Sequence, residues 1–245
     1  MITEKTFDWS VTKKDLSIFI PNYGRGQYIR DLIDQFQTKA NTRDYSIVIG
    51  NDGLHEDFSD LRGRNIFYFT LERSDTSPRN GCYIRNFFIK RCKSHKIFQK
   101  DPETEIRPNN GYDWIKEYID YIDNSSFVRP AYTLDKGTIP QKIENVYANI
   151  SHRVHWGFLS SVERLQYIGG YDEDFSLYGY EDTDLYYRLQ HCCGDFKLDK
   201  NLLVIHHQHP IDPSVYKEVN EMGLLYHSKK PSDFIRNKKR EWGNG

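Results

Sequence analysis

The chain has 245 residues, of which 38% are hydrophobic and 15% aromatic, and its formal net charge is −1 at pH 7. This length suffices for one substantial core, and the near-neutral charge argues against a nucleic-acid partner. No apolar run approaches the roughly 20 residues that a membrane span needs. The first ten residues lack the layout of a secretory signal, and the four cysteines show no CxxC spacing. We therefore expect a cytoplasmic protein with reduced thiols.

The first half of the chain alternates predicted strands and helices. Short apolar and β-branched runs predict strands at 16–20, 45–50, 65–70 and 95–99. Apolar residues at helical spacing predict helices within 26–37 and 81–92. This alternation predicts an α/β fold with a mostly parallel central sheet and helices on both faces. Ligands of such sheets bind at the carboxyl ends of the strands.

The second half is less regular. Helical patterns occur in 111–122, 160–170 and 181–193, and 202–207 predicts a strand. The basic and aromatic stretch 229–242 predicts a solvated C-terminal helix, with peripheral contact to an anionic membrane surface as the alternative. Because no repeat or low-complexity linker divides the chain, we expect a single domain.

Two acidic residues follow the fourth predicted strand, in the turn Asp101-Pro102-Glu103. Two carboxylates at such a strand end can share Mg²⁺ or Mn²⁺, which then bridges to a diphosphate. Three histidines lie at the end of the last predicted strand, and two of them, His206 and His209, can complete a metal site. The alternatives are a solvated acidic turn and surface histidines.

Basic residues flank the helix that precedes the acidic turn. Arginines such as Arg79 and Arg85 can hold a diphosphate through forked hydrogen bonds, or they can lie on a solvated helix face. Asp52 follows the second strand, where it can accept a hydrogen bond from a nucleotide base or simply form an Asp-Gly turn.

Acidic residues are concentrated in GGYDEDFSLYGYEDTDLYYRL, residues 169–189, which contains six carboxylates. Acids in a first helical turn favour the helix dipole, which explains one or two of them. Glu181 and Asp182 follow a Gly-Tyr pair that lets backbone and ring approach a ligand. Carboxylates beside aromatic rings suit sugars, and a carboxylate can deprotonate an attacking hydroxyl. Because the helix dipole favours negative charge, we expect Asp182 to be ionised.

These motifs resemble those of the family 2 glycosyltransferases, enzymes with the GT-A fold, over roughly residues 15–210. LSIFIPNYGR is similar to the opening strand of that family, IVIGNDG to its Val-x-Asp-Asp-Gly motif, and Asp101-Pro102-Glu103 to its Asp-x-Asp metal motif. The segment from Trp156 to Leu189 looks like the acceptor-side segment of galactosyl- and N-acetylgalactosaminyltransferases. Gly24, Asn51 and Glu103 depart from the family pattern.

The resemblance implies an inverting transferase that uses Mn²⁺ or Mg²⁺ and moves a sugar from a nucleotide-diphosphate donor, UDP being the expected nucleotide, to a glycan or glycoconjugate. It implies a nucleotide-sugar half at 15–103, an acceptor half at 104–210 and a helical extension at 211–245. Asp182 is the expected base, and Glu181 is expected to bind the acceptor. The expected metal ligands are Asp101, Glu103, His206 and His209. The expected donor-binding residues are Pro21, Tyr23, Arg25, Asp52, Arg79, Arg85 and Lys100. The expected acceptor-binding residues are Trp156, Gly157, Asp172 and Tyr180.

Two other functions stay open on sequence grounds. A binding module of the same fold would hold a nucleotide sugar or glycan without turnover, and the altered metal motif favours it. A nucleotidyltransferase would need a glycine- and lysine-rich phosphate loop, and PNYGRGQ is a poor one.

Overall fold

The computed structural model describes residues 14–53, 55–61, 65–72, 81–121, 127–134, 157–194, 196–207, 213–229, 233–238 and 242. Its strands are β1 Leu16–Asn22, β2 Tyr45–Asp52, β3 Ile66–Leu71, β4 Lys96–Lys100, β5 Thr104–Pro108, β6 Val128–Leu134, β7 Gly157–Ser161 and β8 Lys197–His206. Its α-helices are α1 Gly26–Ile33, α2 Cys82–Arg91, α3 Trp114–Asp120, α4 Val162–Tyr167, α5 Glu181–Cys193 and α6 Val215–Ser228. The strands of this described part form one sheet in the order β3-β2-β1-β4-β7-β6-β8-β5.

The first half of the sheet is parallel, as the alternating pattern predicts. β1 pairs in parallel with β2 and β4, and β2 pairs in parallel with β3. Successive side chains of β1 enter two cores: Ile18 and Ile20 pack in the core that contains α1 and α3, whereas Phe19 packs in the core that contains α2. The sheet is therefore buried on both faces, which explains why its strands read as continuous apolar runs.

The second half of the sheet is mixed. β7 runs antiparallel to β4 and β6, and β8 pairs in parallel with β6 but antiparallel with β5. The turn between β4 and β5 carries Asp101 and Glu103. Because Thr104 of β5 is in register with His206 of β8, this turn lies beside the end of β8. The sheet thus brings the acidic turn and His206 together at neighbouring strand ends.

A loop between α4 and α5, residues 168–180, is fixed by charged residues near the C-terminus. Asp172 is buried, and its Oδ2 lies 2.6 Å from Lys229 Nζ and 3.0 Å from Arg236 Nε. Arg236 Nη2 also reaches Oδ1 of the buried Asp184 at 3.0 Å, and Asp184 is paired in addition with Arg188 within α5. These ion pairs join the loop, the start of α5 and the C-terminal residues into one buried cluster.

The C-terminal residues differ from the predicted solvated helix. Helix α6 ends at Ser228, and residues 233–238 are not helical. Asn237 is buried, and its side-chain amide donates to the carbonyls of Gly169 and Tyr171, both at 2.8 Å. The helix prediction is wrong here because tertiary hydrogen bonds and ion pairs fix the segment in a non-helical path. Across the described residues, no helix combines the length and apolar character that crossing a bilayer requires.

The Gly169-Gly170 pair permits this close packing. Gly169 has φ +79°, and a Cβ on it would lie 2.3 Å from the carbonyl oxygen of Arg236. A Cβ on Gly170, with φ +64°, would lie 2.3 Å from Asn86 Oδ1. Both positions therefore exclude a side chain for steric as well as conformational reasons.

We expect Gly169→Ala to lower the free energy of unfolding by more than the same change at Gly111. Gly111 also has φ +79° but has nothing within 4 Å of the added Cβ, so its substitution measures the backbone strain alone. That strain is worth about 1–3 kcal/mol, and the contact with Arg236 adds to it. Urea denaturation of both variants measures the difference. Equal losses would show that Arg236 does not constrain Gly169.

Candidate active site

Polar side chains at the carboxyl ends of β1 and β2 form one network. Asn22 Nδ2 donates to Asn51 Oδ1 at 2.8 Å and to Glu56 Oε2 at 2.6 Å. Asn22 Oδ1 accepts from the backbone N–H of Arg25 at 2.9 Å, which fixes the start of α1. The network orders the crevice where the sheet topology predicts a ligand.

The acidic turn after β4 is paired with two arginines. Arg85 Nη2 donates to Asp101 Oδ1 at 3.0 Å, and Arg25 Nε donates to Glu103 Oε1 at 2.6 Å. Two further hydrogen bonds stabilise the turn. Lys100 Nζ donates to Thr104 O at 2.9 Å, and Thr104 Oγ1 donates to Asp101 O at 2.6 Å. Burial lowers the pKa of Lys100 to about 7.

The donor set of this turn suits a hard divalent cation. Asp101 and Glu103 supply carboxylate oxygens, and His206 lies at the neighbouring strand end. In the described part of the chain, no three His, Cys, Asp or Glu side chains converge as a ready metal site. A complete site therefore needs a ligand from elsewhere, such as a diphosphate, water or His209, which lies outside the described residues.

Two carboxylates begin α5 directly after a strained residue. Tyr180, the residue before the helix, has φ +67° and lies against α6, where its ring stacks on Tyr226. Glu181 Oε2 accepts from the N–H of Gly179 at 3.0 Å. Asp182 Oδ1 is buried and has no hydrogen-bond partner among the described residues. An unpartnered buried carboxylate oxygen is costly unless a ligand completes it.

Burial raises the pKa of both acids, and the charge of Glu181 adds to the rise at Asp182. Desolvation raises the pKa of Glu181, and desolvation together with the charge of Glu181 raises the pKa of Asp182 to about 8. The expectation that the helix dipole keeps Asp182 ionised is therefore wrong, because burial and a like charge outweigh the dipole. At neutral pH the pair retains a proton, which makes it more basic than an ordinary carboxylate.

Arg85 is the cation that faces these acids. Burial disfavours its charge, but Tyr171, Asp182, Asp101 and Glu181 together raise its pKa well above the usual value, so it stays protonated. Its Nε has no hydrogen-bond partner among the described residues. Arg85 therefore lies between the acidic turn and the start of α5, and its buried Nε is a donor without a partner among the described residues.

The other predicted residues divide by location. Tyr23 is 53% exposed beside the crevice, whereas Pro21 and Asp52 are buried at the ends of β1 and β2. Gly157 begins β7 opposite Lys100. Three predicted residues lie outside the described part of the chain: Arg79, Trp156 and His209.

The structure gives two predicted ligand-binding residues a structural role instead. Lys100 is fully buried under the turn and hydrogen-bonds Thr104, so its ammonium group is committed there and does not contact a donor. Asp172 is 2% exposed in its side chain and is paired with Lys229 and Arg236, so it is not open to an acceptor. The partners of Asp172 are distant in the sequence, and the partner of Lys100 is a backbone carbonyl. No local motif therefore predicts either interaction.

Sequence reasoning missed several residues around the carboxylates. Tyr171 is buried, and its hydroxyl accepts from Gln99 Nε2 at 2.5 Å. Asn86 pairs with the backbone of Tyr171. Tyr178 is 52% exposed, and its partial desolvation, together with the charges of Glu181, Asp182 and Asp101, raises its pKa to about 12. The one sequence signal for these residues is the glycine pair of GGYDEDF, since adjacent glycines indicate that other parts of the chain pack closely against this loop.

Comparison with protein families supports the acceptor-side resemblance. Residues 156–209 match the family described as the N-terminal domain of galactosyltransferase. An uncharacterised glycosyltransferase of Bacillus subtilis (strain 168), YfnE, is 30% identical over 137 residues. That match covers 52% of this chain and 35% of the relative, so the chain spans only about a third of the curated relative that it matches.

Solved structures confirm the fold. Residues 1–349 of TarS from S. aureus, in complex with UDP-GlcNAc, match with a TM-score of 0.60 at 13% identity, over 89% of this chain and 68% of that one. The mannosyltransferase PcManGT of Pyrobaculum calidifontis, in complex with GDP-Man and Mn²⁺, matches with a TM-score of 0.60 at 9% identity, over 95% of this chain and 70% of that one. The predicted α/β fold is thus confirmed, whereas the resemblance to glycosyltransferases is confirmed by the family match and by YfnE.

We expect Asp182→Asn to raise the free energy of unfolding at neutral pH. Asp182 has a folded pKa of about 8 against an unfolded value near 3.8, so folding takes up a proton between these values and stability falls as the pH rises through that window. The variant removes this cost, with a gain on the order of 2–4 kcal/mol at pH 7 that disappears below about pH 4. Urea denaturation at several pH values measures it.

The matched control is Asp120→Asn, which removes an exposed carboxylate paired with Lys116 at the surface. We expect its effect to stay within about 1 kcal/mol at every pH. If Asp182→Asn gives the same small effect, the burial of the carboxylate pair is not costly, and the assignment of a raised pKa fails.

Proposed function

We propose that this chain is a metal-dependent, inverting glycosyltransferase. It moves a sugar from a nucleotide-diphosphate donor, with UDP as the nucleotide, to a hydroxyl group of a glycan or glycoconjugate. The observation that carries the proposal is the unpartnered Asp182 Oδ1, held in a buried site with Arg85 and the acidic turn. The complexes of TarS with UDP-GlcNAc and UDP, and of PcManGT with GDP-Man, support a nucleotide-sugar donor.

The donor is proposed to occupy the carboxyl ends of β1, β2 and β4. Asp52 accepts from the base, and the exposed ring of Tyr23 packs near it. Arg85, Arg25 and Arg79 bind the diphosphate through charge-assisted hydrogen bonds. Asp101 and Glu103, with His206 and His209, would hold a divalent cation that supplies further positive charge for the diphosphate.

The excess of carboxylates over arginines at the site favours a bound cation. Arg85 faces three carboxyl groups, Asp101, Glu181 and Asp182, so this part of the site is already acidic before a donor diphosphate arrives. Arg25 is paired with Glu103 and adds no surplus positive charge. The Mn²⁺ bound by the mannosyltransferase PcManGT supports divalent metal use at a site of this fold.

The acceptor is proposed to bind on the side of α5, where Trp156, Gly157 and Tyr180 contact it. Glu181, tied by Gly179, binds acceptor hydroxyl groups, and Asp182 accepts the proton of the attacking hydroxyl. The acceptor oxygen then forms a bond to the anomeric carbon while the bond from that carbon to the diphosphate oxygen breaks. The configuration at the anomeric carbon is inverted, and the nucleoside diphosphate leaves with the electron pair of the broken bond.

Most of the rate is expected to come from positioning and from stabilisation of the leaving group. General-base assistance contributes a further factor of about 10²–10⁴. A base with a pKa near 8 is well matched to this task, because an ordinary carboxylate is too weak a base to take a hydroxyl proton effectively.

Removal of divalent metal should abolish turnover. We expect exhaustive chelation to stop release of nucleoside diphosphate from a sugar-nucleotide panel, and we expect Mn²⁺ or Mg²⁺ to restore it. The physical reason is that Arg85 alone does not neutralise a diphosphate beside three carboxyl groups. Chelated protein kept at the same ionic strength and then reloaded serves as the control. Full activity after chelation would refute metal dependence.

Asp182→Asn should lower turnover by about 10²–10⁴-fold, because it keeps the shape of the side chain but removes the proton acceptor. Donor affinity, measured by titration calorimetry with UDP and Mn²⁺, should stay within a few fold. Asp174→Asn is the matched control, since Asp174 belongs to the same acidic loop but is 43% exposed in its side chain and pairs with Lys229.

The outcomes separate the competing assignments. Near-normal turnover in Asp182→Asn together with loss of turnover in Glu181→Gln would exchange the two roles. Donor binding by the wild-type protein without turnover of any donor in the panel would favour the binding module of the same fold.

A further inference from the structure

The turn before α5, residues 178–180, ends in a strained residue. Tyr180 has φ +67° and ψ −12°, in the left-handed region that residues with a Cβ seldom adopt. Its carbonyl accepts the first hydrogen bond of α5, from Asp184 N at 2.8 Å. Such a conformation costs free energy and persists only where the surrounding structure holds it in place. The groups that pack against this turn therefore have to supply that hold.

Helix α6 packs against the ring of Tyr180. The ring stacks on that of Tyr226, with 5.4 Å between the ring centres and 29° between the planes. Gly223 leaves room for the ring, because a Cβ on Gly223 would lie 3.0 Å from Cε2 and 3.3 Å from the hydroxyl oxygen of Tyr180. Gly223 is buried inside α6, where a glycine weakens the helix. The close contact with Tyr180 explains a residue that the helix itself disfavours.

The first two residues of the turn are also held by α6. Tyr178 N donates to Glu218 Oε2 at 3.2 Å. Gly179 has φ +111°, and a Cβ on it would lie 3.2 Å from Val219 Cγ2. The turn thus contacts α6 through a hydrogen bond at its first residue, close backbone packing at its second and ring packing at its third.

The same turn sets the direction of the two proposed acceptor-side carboxylates. Glu181 Oε2 accepts from Gly179 N at 3.0 Å, so the side chain of Glu181 bends back over the turn. Asp182 follows in the first turn of α5, where its Oδ1 is buried and has no hydrogen-bond partner among the described residues. If Tyr180 relaxed to an extended conformation, Gly179 and the start of α5 would turn apart, and both carboxylates would move.

We propose that α6 is a positioning element for Glu181 and Asp182 that acts through the turn before α5. Glu218 and Gly223 are its positioning residues, the first through its carboxylate and the second through the absence of a side chain. The catalytic part of this inference rests on the proposed function, whereas the hold of α6 on the turn does not.

The test measures hydrogen exchange of the backbone amides of residues 178–185 by mass spectrometry, in the full-length protein without ligand. Gly223→Leu should speed this exchange by a factor on the order of ten, because the new side chain takes the place of the Tyr180 ring. Leucine is a better helix former than glycine, so an effect through helix propensity would have the opposite sign. The matched control is Glu221→Leu, which puts the same side chain at an exposed position on the opposite face of α6 and should leave the exchange unchanged.

A second pair of variants tests the hydrogen bond to the turn. Glu218→Ala removes the acceptor of Tyr178 N and should also speed the exchange, whereas Glu218→Gln keeps an acceptor oxygen and should restore the wild-type rate. This pair decides the question if Gly223→Leu does not fold. Unchanged exchange in a folded Gly223→Leu protein, or in Glu218→Ala, would overturn the inference.

Turnover then distinguishes this inference from the proposed function. If the protein releases nucleoside diphosphate, Gly223→Leu should lower kcat by up to about 10²-fold, with the KM for the donor unchanged. Glu218→Gln should keep the wild-type kcat. A purely structural role would reduce the amount of folded protein but leave the kcat of the folded fraction unchanged, and that outcome would overturn positioning. If the exchange responds but the wild-type protein turns over no donor, the hold of α6 on the turn stands and the proposed function fails.

Discussion

The rest of the site depends on the buried ion pairs of Arg236 with Asp172 and Asp184. Each acid is almost fully buried, so its charge has to be matched inside the protein. Lys229 and Arg188 complete the set, which gives each aspartate two cationic partners. Removing one member of such a cluster leaves a buried charge without compensation, which typically costs about 3–5 kcal/mol. The cluster thereby fixes the loop before α5 to the C-terminal residues.

This arrangement explains why a nearly neutral chain gathers six carboxylates in residues 169–189. Asp172, Asp174 and Asp184 are structural partners of Lys229, Arg236 and Arg188, and Glu173 accepts from Asn86 at 2.9 Å. Glu181 and Asp182 are the two whose burial is compensated least, and theirs are the carboxyl pKa values that burial raises. One acidic stretch therefore holds two kinds of carboxylate. The paired ones provide rigidity, and the pair at the start of α5 is the proposed acceptor-binding group and base.

Sequence reasoning found the parts of the fold that are encoded locally. The four strands of the parallel half were predictable because both faces are buried, which makes β1, β2, β3 and β4 short continuous apolar runs. Strands β5, β6 and β7 were missed, since TEIRP and VRPAYTL interrupt the apolar pattern with charge and proline. At the site, the acidic turn and the Glu181-Asp182 pair follow from motif and spacing. The contacts of Asp172 and Tyr171 do not, because their partners Arg236 and Asn86 lie 64 and 85 residues away in the sequence.

The pairing of acidic turn and arginines also bears on how the proposed donor and cation would bind. Arg85 is hydrogen-bonded to Asp101 and Arg25 to Glu103, so each of the two proposed carboxylate metal ligands is held by a proposed diphosphate ligand. A diphosphate that binds the two arginines weakens their hold on the carboxylates, and a cation that binds the carboxylates weakens their hold on the arginines. Each ligand thus makes available the groups that the other needs, which is positive linkage between them. The same two ion pairs neutralise the carboxylates of the turn when both ligands are absent. The turn can therefore stay folded, without repulsion between its carboxylates, before the proposed donor and cation bind.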